Sequence, residues 1–270
     1  MMNYPNIVFP CWKKEQEVFN KNLAVLKQKP ETNAVHDIRV AIKKLRAILR
    51  LYVLLTEEQL WKYPLRETED LFTILGKQRD IEICMELLQA FEKETGKKYP
   101  ELRRYLDETL NTAQQWVKNA VTAHKKRELS AVALMLKTES IPFTTEELRV
   151  KAIRIIASHL AGCSAYFKQP HKLRQQLKEI YYWIKMAEEI LAVRVDYEKK
   201  LHQLLDEFGK WQDIQVFETR IRHFRKDHLP RAFPEYESLK TLESVIKEKG
   251  EALLKTTLSK TRHLIKNVKI

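Results

Sequence analysis

The sequence predicts an all-α protein built as two pseudo-symmetric helical-bundle halves, with a basic groove or cavity between them. Three observations lead there. The 270 residues include only 5 Gly and 9 Pro, while 44% are hydrophobic and 31% charged; this is the profile of long amphipathic helices with enough apolar surface for a core. Apolar residues recur at helical spacing, and no strand-like alternation is sustained. One pattern of His, Arg and Lys also occurs twice in the same order, the mark of an internal repeat.

Taken in order, residues 1–11 contain Pro5 and Pro10 and read as irregular. A first helix is expected from about Trp12 to Gln28, stopping before Pro30. Thr32 or Asn33 can cap the next, which runs to about Leu55. A helix holding Leu71, Phe72, Ile74 and Leu75 is expected to end at Gly76. A turn over 76–80 and another helix to Gly96 follow. Pro100 opens a long helical region reaching about Leu136, with a bend. Ser140-Ile141-Pro142-Phe143 is the expected boundary, and Thr144 with Glu147 has capping-box spacing. Beyond it, a helix spans about Glu146 to Phe167, Pro170 opens another, one ends near Phe208-Gly209, and one starts near Asp213. The closing helix, Phe233 to Val268, is expected to break near Gly250. The division is thus an irregular 1–11, a first repeat over 12–140 and a second over 141–270.

The stretch from His36 to Arg50 organises the first repeat. At about 100° per residue, His36, Arg39, Lys43, Arg46 and Arg50 fall within an arc of roughly 80°. Ile38, Ile42, Leu45, Ile48 and Leu49 fall on the far side. The cationic ladder is about 21 Å long. Like charges at i,i+4 cost a few tenths of a kcal/mol per pair, and no acid is interleaved on that arc. A single ladder of this kind is ordinarily a solvated face; a second copy changes the reading. His171, Leu173, Arg174, Leu177 and Lys178 repeat the pattern of His36, Ile38, Arg39, Ile42 and Lys43. Continued onward, Lys185 aligns with Arg50 and Tyr181 with Arg46. Downstream, Leu75-Gly76-Lys77-Gln78-Arg79-Asp80-Ile81 resembles Phe208-Gly209-Lys210-Trp211-Gln212-Asp213-Ile214. The histidines are offset by 135 residues and the glycines by 133. Two such ladders facing one another would line a groove whose low-dielectric walls concentrate positive potential.

The net charge of +13 points to anionic partners without choosing among nucleic acid, anionic lipid and a phosphate polymer. No apolar run approaches the roughly 18 residues of a membrane span, and the N-terminus lacks a secretory pattern. Cys11, Cys84 and Cys163 show no CxxC spacing and read as reduced thiols of a cytoplasmic protein.

These ladders resemble the CHAD domain family, the conserved histidine α-helical domain. The family's first histidine helix, H-x-x-R-V-x-x-K/R-x-L-R, matches His36, Arg39, Val40, Lys43, Leu45 and Arg46. Its L-G-x-x-R-D matches Leu75, Gly76, Arg79 and Asp80. Its second histidine helix, H-x-L-R-x-x-x-K, matches His171, Leu173, Arg174 and Lys178. The resemblance covers about residues 12–268. It implies two bundle halves around a basic centre, and binding of inorganic polyphosphate without catalysis. Association with polyphosphate granules is expected with it. Some members are fused to a triphosphatase domain; the 270 residues leave no room for one and show no ExExK pattern, so a standalone copy is expected. Two departures stand out. Glu179, Ile180, Tyr181 and Tyr182 occupy the place where the second helix usually continues with an Arg near a Tyr, and Gln212-Asp213 replaces Arg-Asp. The second half is therefore expected to bind anion less strongly.

The expected polyphosphate contacts are His36, Arg39, Lys43, Arg46, Arg50, Arg79, His171, Arg174, Lys178 and Lys185. Arg can bind two phosphate oxygens through its planar fork, whereas Lys acts as a mobile point charge. His36 and His171 open their helices, where backbone N–H groups also favour an anion. Next to a polyanion their charged form is favoured, so binding is expected to tighten as pH falls toward about 6. The alternative partner is nucleic acid, its backbone bound without sequence preference; less favoured is an enzyme acting on a phosphoanhydride. Asp80 and Asp213 read first as helix N-caps and second as partners that orient a ladder cation. Lys125-Lys126-Arg127 reads as a solvated basic cluster, and Tyr181, Tyr182 and Trp183 as core or groove wall. His36-Asp37 forms an HD pair, but nothing ties further ligands to it, so no metal, no cofactor and no catalytic set is expected.

Overall fold

The computed structural model describes residues 6–57, 65–139 and 141–268. Their helices are α1 (Phe9–Gln28), α2 (Thr32–Thr56), α3 (Arg66–Thr95), α4 (Pro100–Ala123), α5 (Arg127–Thr138), α6 (Thr145–Gly162), α7 (Pro170–Leu191), α8 (Glu198–Asp227) and α9 (Glu235–Asn267). A 3₁₀ turn over Cys163–Tyr166 follows α6. No β-strand occurs among the described residues, and the expected all-α class holds. Residues 1–5 of the expected irregular segment, and Ser140 of the expected boundary, lie outside the described residues.

Several helix ends follow directly from local chemistry. Pro10, Pro100 and Pro170 each sit in a first helical turn, where the missing N–H has no partner to lose and the fixed φ suits the helix. The Thr144 side chain accepts from the Glu147 N–H, and the Glu147 carboxylate accepts from the Thr144 N–H, which completes the capping box of α6. Gly96 closes α3 at φ 71°, a conformation open to glycine at little cost.

Other expectations are corrected. Neither Thr32 nor Asn33 caps α2: Glu31 holds the cap position without a side-chain bond, and the Thr32 hydroxyl donates to Glu82 on α3. Helix α1 begins at Phe9, so the irregular segment is shorter than 1–11. No turn interrupts the chain at Gly76 or Gly209, because α3 and α8 each run 30 residues straight through them. Tertiary packing on both sides of each glycine overrides a helix penalty of only about 1 kcal/mol. Likewise α9 is unbroken at Gly250. A Cβ there would lie 3.0 Å from Ile214 Cγ2, so the glycine lets α9 lie close on α8. Conversely, the region from Pro100 to Leu136 is two helices, separated by an extended His124.

The helices bury two apolar cores. The first joins α1, α2, α5, α6 and α7 with the N-terminal parts of α3 and α8 and the C-terminal ends of α4 and α9, including Leu71, Leu75, Val121, Leu201, Phe208 and Leu264. The second joins the later parts of α3 and α8 with α4 and α9, through Ile81, Leu88, Leu102, Phe217, Ile221 and Leu239. Each core draws on both sequence halves. The neighbour order is also the same in each half: α1 on α2, α2 on α3 and α3 on α4; then α6 on α7, α7 on α8 and α8 on α9. Contacts of α2 with α7 and of α3 with α8 join the halves. The two histidine-led helices therefore lie side by side.

Candidate functional site

Helices α2 and α7 bury matching stripes: Ile38, Ile42, Leu45 and Leu49 on one, Leu173, Leu177, Ile180 and Ile184 on the other. The Trp183 Nε1–H crosses between them and donates to the Ala47 carbonyl at 2.8 Å. With these stripes turned inward, Arg39, Lys43, Arg174 and Lys178 come out half-buried and within electrostatic reach of one another. None of the four forms an ion pair among the described residues, in contrast to cations farther along the same helices. The Arg174 Nε and the Arg46 Nε are buried without a hydrogen-bond acceptor among the described residues.

Charge is costly at this place. Burial pushes the Lys43 ammonium down to about 7, and Lys178, Arg39, Arg174 and Arg46 push it the same way. Lys178 is pushed down to about 8 by burial and then by Arg174, with Asp206 opposing. Burial also lowers Arg39 and Arg174, against the pull of Asp80 and Asp213 respectively; both guanidinium groups remain charged. Desolvation and like charge act in one direction here.

Phe72 on α3 is the platform that organises the first ladder. Arg39 Nη1 donates to the Phe72 carbonyl at 2.7 Å. The Arg39 and Arg46 guanidinium carbons lie 4.3 and 4.5 Å from the Phe72 ring centroid, and the Lys43 ammonium 5.6 Å; each is a cation–π distance. One turn after Phe72, a Cβ on Gly76 would come within 2.5 Å of Arg39 Nη1. Gly76 is therefore the gap into which the guanidinium fits, not a helix stop.

The remaining expected contacts divide. Arg46 pairs with Glu69 at 3.3 Å. Arg79 pairs with Glu82 and Glu86 at 3.3 and 3.0 Å. Arg50 bonds both oxygens of Glu179 on α7, at 2.9 and 2.8 Å. Lys185 is held by Glu188 at 2.6 Å and Glu198 at 3.7 Å. His36 is exposed at the start of α2; burial of its inner side and then Arg79 lower its pKa, Lys43 and Lys178 adding to the effect and Asp37 opposing it. His171 Nδ1 lies 2.6 Å from Gln212 Oε1, and its ring centroid lies 4.6 Å from that of Trp211. The structure gathers Arg39, Lys43, Arg174 and Lys178, with His36 and Arg79 beside them, and gives Arg46, Arg50, Arg79 and Lys185 carboxylate partners. Lys125-Lys126-Arg127 spans the break between α4 and α5.

Asp80 and Asp213 are not N-caps, because both stand inside their helices. Half-buried, they are raised by desolvation, while Arg39 and Arg220 pull Asp80 back and Arg174 and Arg79 pull Asp213. Each thus attracts one ladder arginine through space, Asp80 acting on Arg39 and Asp213 on Arg174, without an ion-pair contact among the described residues. Arg220 escaped the sequence reading. It faces Asp80 and the Cys84 thiol, which burial pushes up to about 12. Arg220 also lines a cavity of about 430 Å³ with Asp80, His171, Gln212 and His223. Gln212, Val216, Thr219 and Arg220 keep helical spacing on one face of α8, and that periodicity was the available signal. Phe72 carried no such signal, since a stacking platform looks like any core aromatic. Cys11, Cys84 and Cys163 are buried free thiols. Among the described residues no three or more His, Cys, Asp or Glu are grouped to hold a metal ion, and no helix is long and apolar enough to cross a membrane.

The architecture is that of an all-helical domain with two histidine-led helices paired at its centre. The chain belongs to the CHAD domain family, whose model matches residues 13–222. Two solved structures share the fold. The CHAD domain from the plant Ricinus communis superposes with a TM-score of 0.71 at 14% identity, covering 99% of this chain and 93% of that one. PptA from Streptomyces chartreusis superposes with a TM-score of 0.73 at 14% identity, covering 97% and 100%. No curated protein matches the sequence. Helix α9 lies beyond the family match, yet it packs along α8 and shapes the second core.

Proposed function

We propose that this protein binds inorganic polyphosphate, without cleaving it, in a basic groove between α2 and α7. Arg39, Lys43, Arg174 and Lys178 form the centre, and His36, Arg46, Arg79 and His171 flank it. The observation that carries this reading is the gathering of Lys43 and Lys178 with the ladder arginines: Lys178, Arg39 and Arg174 depress the protonation of Lys43, Arg174 and Arg39 depress that of Lys178, and neither lysine has a carboxylate partner within ion-pair distance among the described residues. Uncompensated cations held together away from water are destabilising. A polyanion laid along both helices would supply the missing counter-charge. Polyphosphate suits the arrangement because it carries repeated negative charge and offers no bases to read. The family resemblance points to the same ligand, and the matching through-space pull of Asp80 on Arg39 and of Asp213 on Arg174 supports an origin by internal duplication. Arg50 and Lys185 form the rim of the groove, where their glutamate partners leave little charge to offer.

The test is binding of long-chain polyphosphate against excess double-stranded DNA at roughly 150 mM salt, for the wild type and for Arg39/Lys43/Arg174/Lys178→Ala. Loss of four phosphate contacts should weaken binding by orders of magnitude. Displacement of polyphosphate by DNA would favour the nucleic-acid reading, and unchanged affinity of the variant would reject the groove.

A further inference from the structure

The C-terminal end of α8 carries two histidines that the basic centre does not use. His223 stands in the last turns of the helix and His228 at its C-cap. Their Nε2 atoms are 3.3 Å apart. The ring centroids are 4.9 Å apart with an interplanar angle of 84°, so the rings meet at an angle and not end to end. Asp227 Oδ2 lies 2.6 Å from His223 Nδ1, so the Nδ1–H donates to the carboxylate and the His223 Nε2 presents its lone pair. The His228 ring rests 5.0 Å from Tyr105, which itself stacks at 4.8 Å on the buried Phe224. The His223 and Asp227 side chains are 50% and 58% exposed, so the pair is open to solvent.

We propose that His223 and His228 form a bidentate binding site for a zinc-class divalent cation, with Asp227 as the residue that positions His223. A tetrahedral zinc ion with Zn–N bonds of about 2.0–2.1 Å holds two of its nitrogens about 3.3–3.4 Å apart, and the observed separation matches. The Asp227–His223 pair reproduces the carboxylate–imidazole–metal relay that fixes tautomer and ring orientation at such sites. Imidazole nitrogen selects zinc, copper and nickel over magnesium and calcium. With only two protein ligands, water completes the coordination, and the ion staples the end of α8. Without metal, the same two nitrogens can share one proton as a hydrogen bond; a bound ion replaces that proton. The site does not depend on the polyphosphate reading.

The test is titration of the full chain with zinc chloride against a chromogenic chelator, with the histidine ring protons followed by NMR. The expected result is one equivalent of zinc that shifts the His223 and His228 signals and is lost in H223A and in H228A. D227N should weaken it roughly ten- to hundredfold. H202A should leave it unchanged, since the His202–Asp206 pair shows the same i,i+4 carboxylate contact, at 3.5 Å, and meets no second imidazole. Failure of the wild type to bind zinc, or retention of the equivalent in an H223A/H228A double variant with native circular dichroism, would overturn the proposal.

Discussion

The guanidinium of Arg39 occupies the space that a side chain at residue 76 would need: a Cβ there would lie 2.5 Å from its Nη1. The glycine of the Leu75-Gly76 motif thus shapes the basic centre from inside a continuous helix. Gly76→Ala should gain about 1 kcal/mol of helix propensity. The added methyl should push the flexible end of Arg39 off the Phe72 carbonyl, which offsets that gain. The expected outcome is weaker polyphosphate binding with little change in melting temperature. A variant that is stabilised and binds normally would mean that Arg39 is not held by this gap.

Lys43 should stabilise the fold when removed. It is half-buried among Arg39, Arg46, Arg174 and Lys178, and its pKa of about 7 records the cost of its charge. Lys43→Met keeps the aliphatic stem and should raise stability by about 1 kcal/mol while weakening polyphosphate binding, the trade-off expected where function strains a fold. Thermal melts and binding isotherms on the same variant decide it.

Binding should depend on pH through the two lysines. The free protein loses protons from Lys43 and Lys178 near pH 7 and 8. A bound polyanion holds those protons on, so affinity should fall as pH rises from about 6.5 to 9 and binding should take up protons. Lys43→Arg with Lys178→Arg should flatten the profile, because arginine stays charged. His36 contributes little in this window, since burial and Arg79 already hold its pKa down. For folding the sign is opposite. The lysines bind protons more tightly in the unfolded chain, so their share of stability rises with pH between about 7 and 10.5. Calorimetry in buffers of different ionisation enthalpy counts the protons; zero uptake at pH 7.5 would sink the prediction.

The ten contact residues read from the sequence should not contribute alike. Arg50 is tied to Glu179 and Lys185 to Glu188 and Glu198. Arg50→Ala and Lys185→Ala should change polyphosphate affinity less than about threefold, whereas Arg39→Ala or Arg174→Ala should cost about tenfold or more, one charge-assisted contact each. Equal effects from all four would show that total charge matters and position does not.

The ladders were legible because helical periodicity is a local property: Ile38 to Leu49 fix which side is buried, and His36, Arg39 and Lys43 must then face the other way. The capping box at Thr144 was legible for the same reason. Gly76, Gly209 and Gly250 misled because a glycine ends a helix only when nothing packs across it, and each of these helices buries apolar residues on both sides of its glycine. Asp80 and Asp213 take cap positions only if those glycines end their helices, and they do not.

The amino-acid sequence by itself determined the helical class, the two apolar stripes, the pair of cationic ladders and the family to which they belong, since each is written in the spacing of neighbouring residues. Only the tertiary structure decided which cations keep their charge unanswered. Glu179 reaches Arg50 across 129 positions, Phe72 takes three cations of α2, and Lys178 confronts Lys43 from another helix. Electrostatic partners are chosen by distance in space, and periodicity along the chain carries no record of that distance.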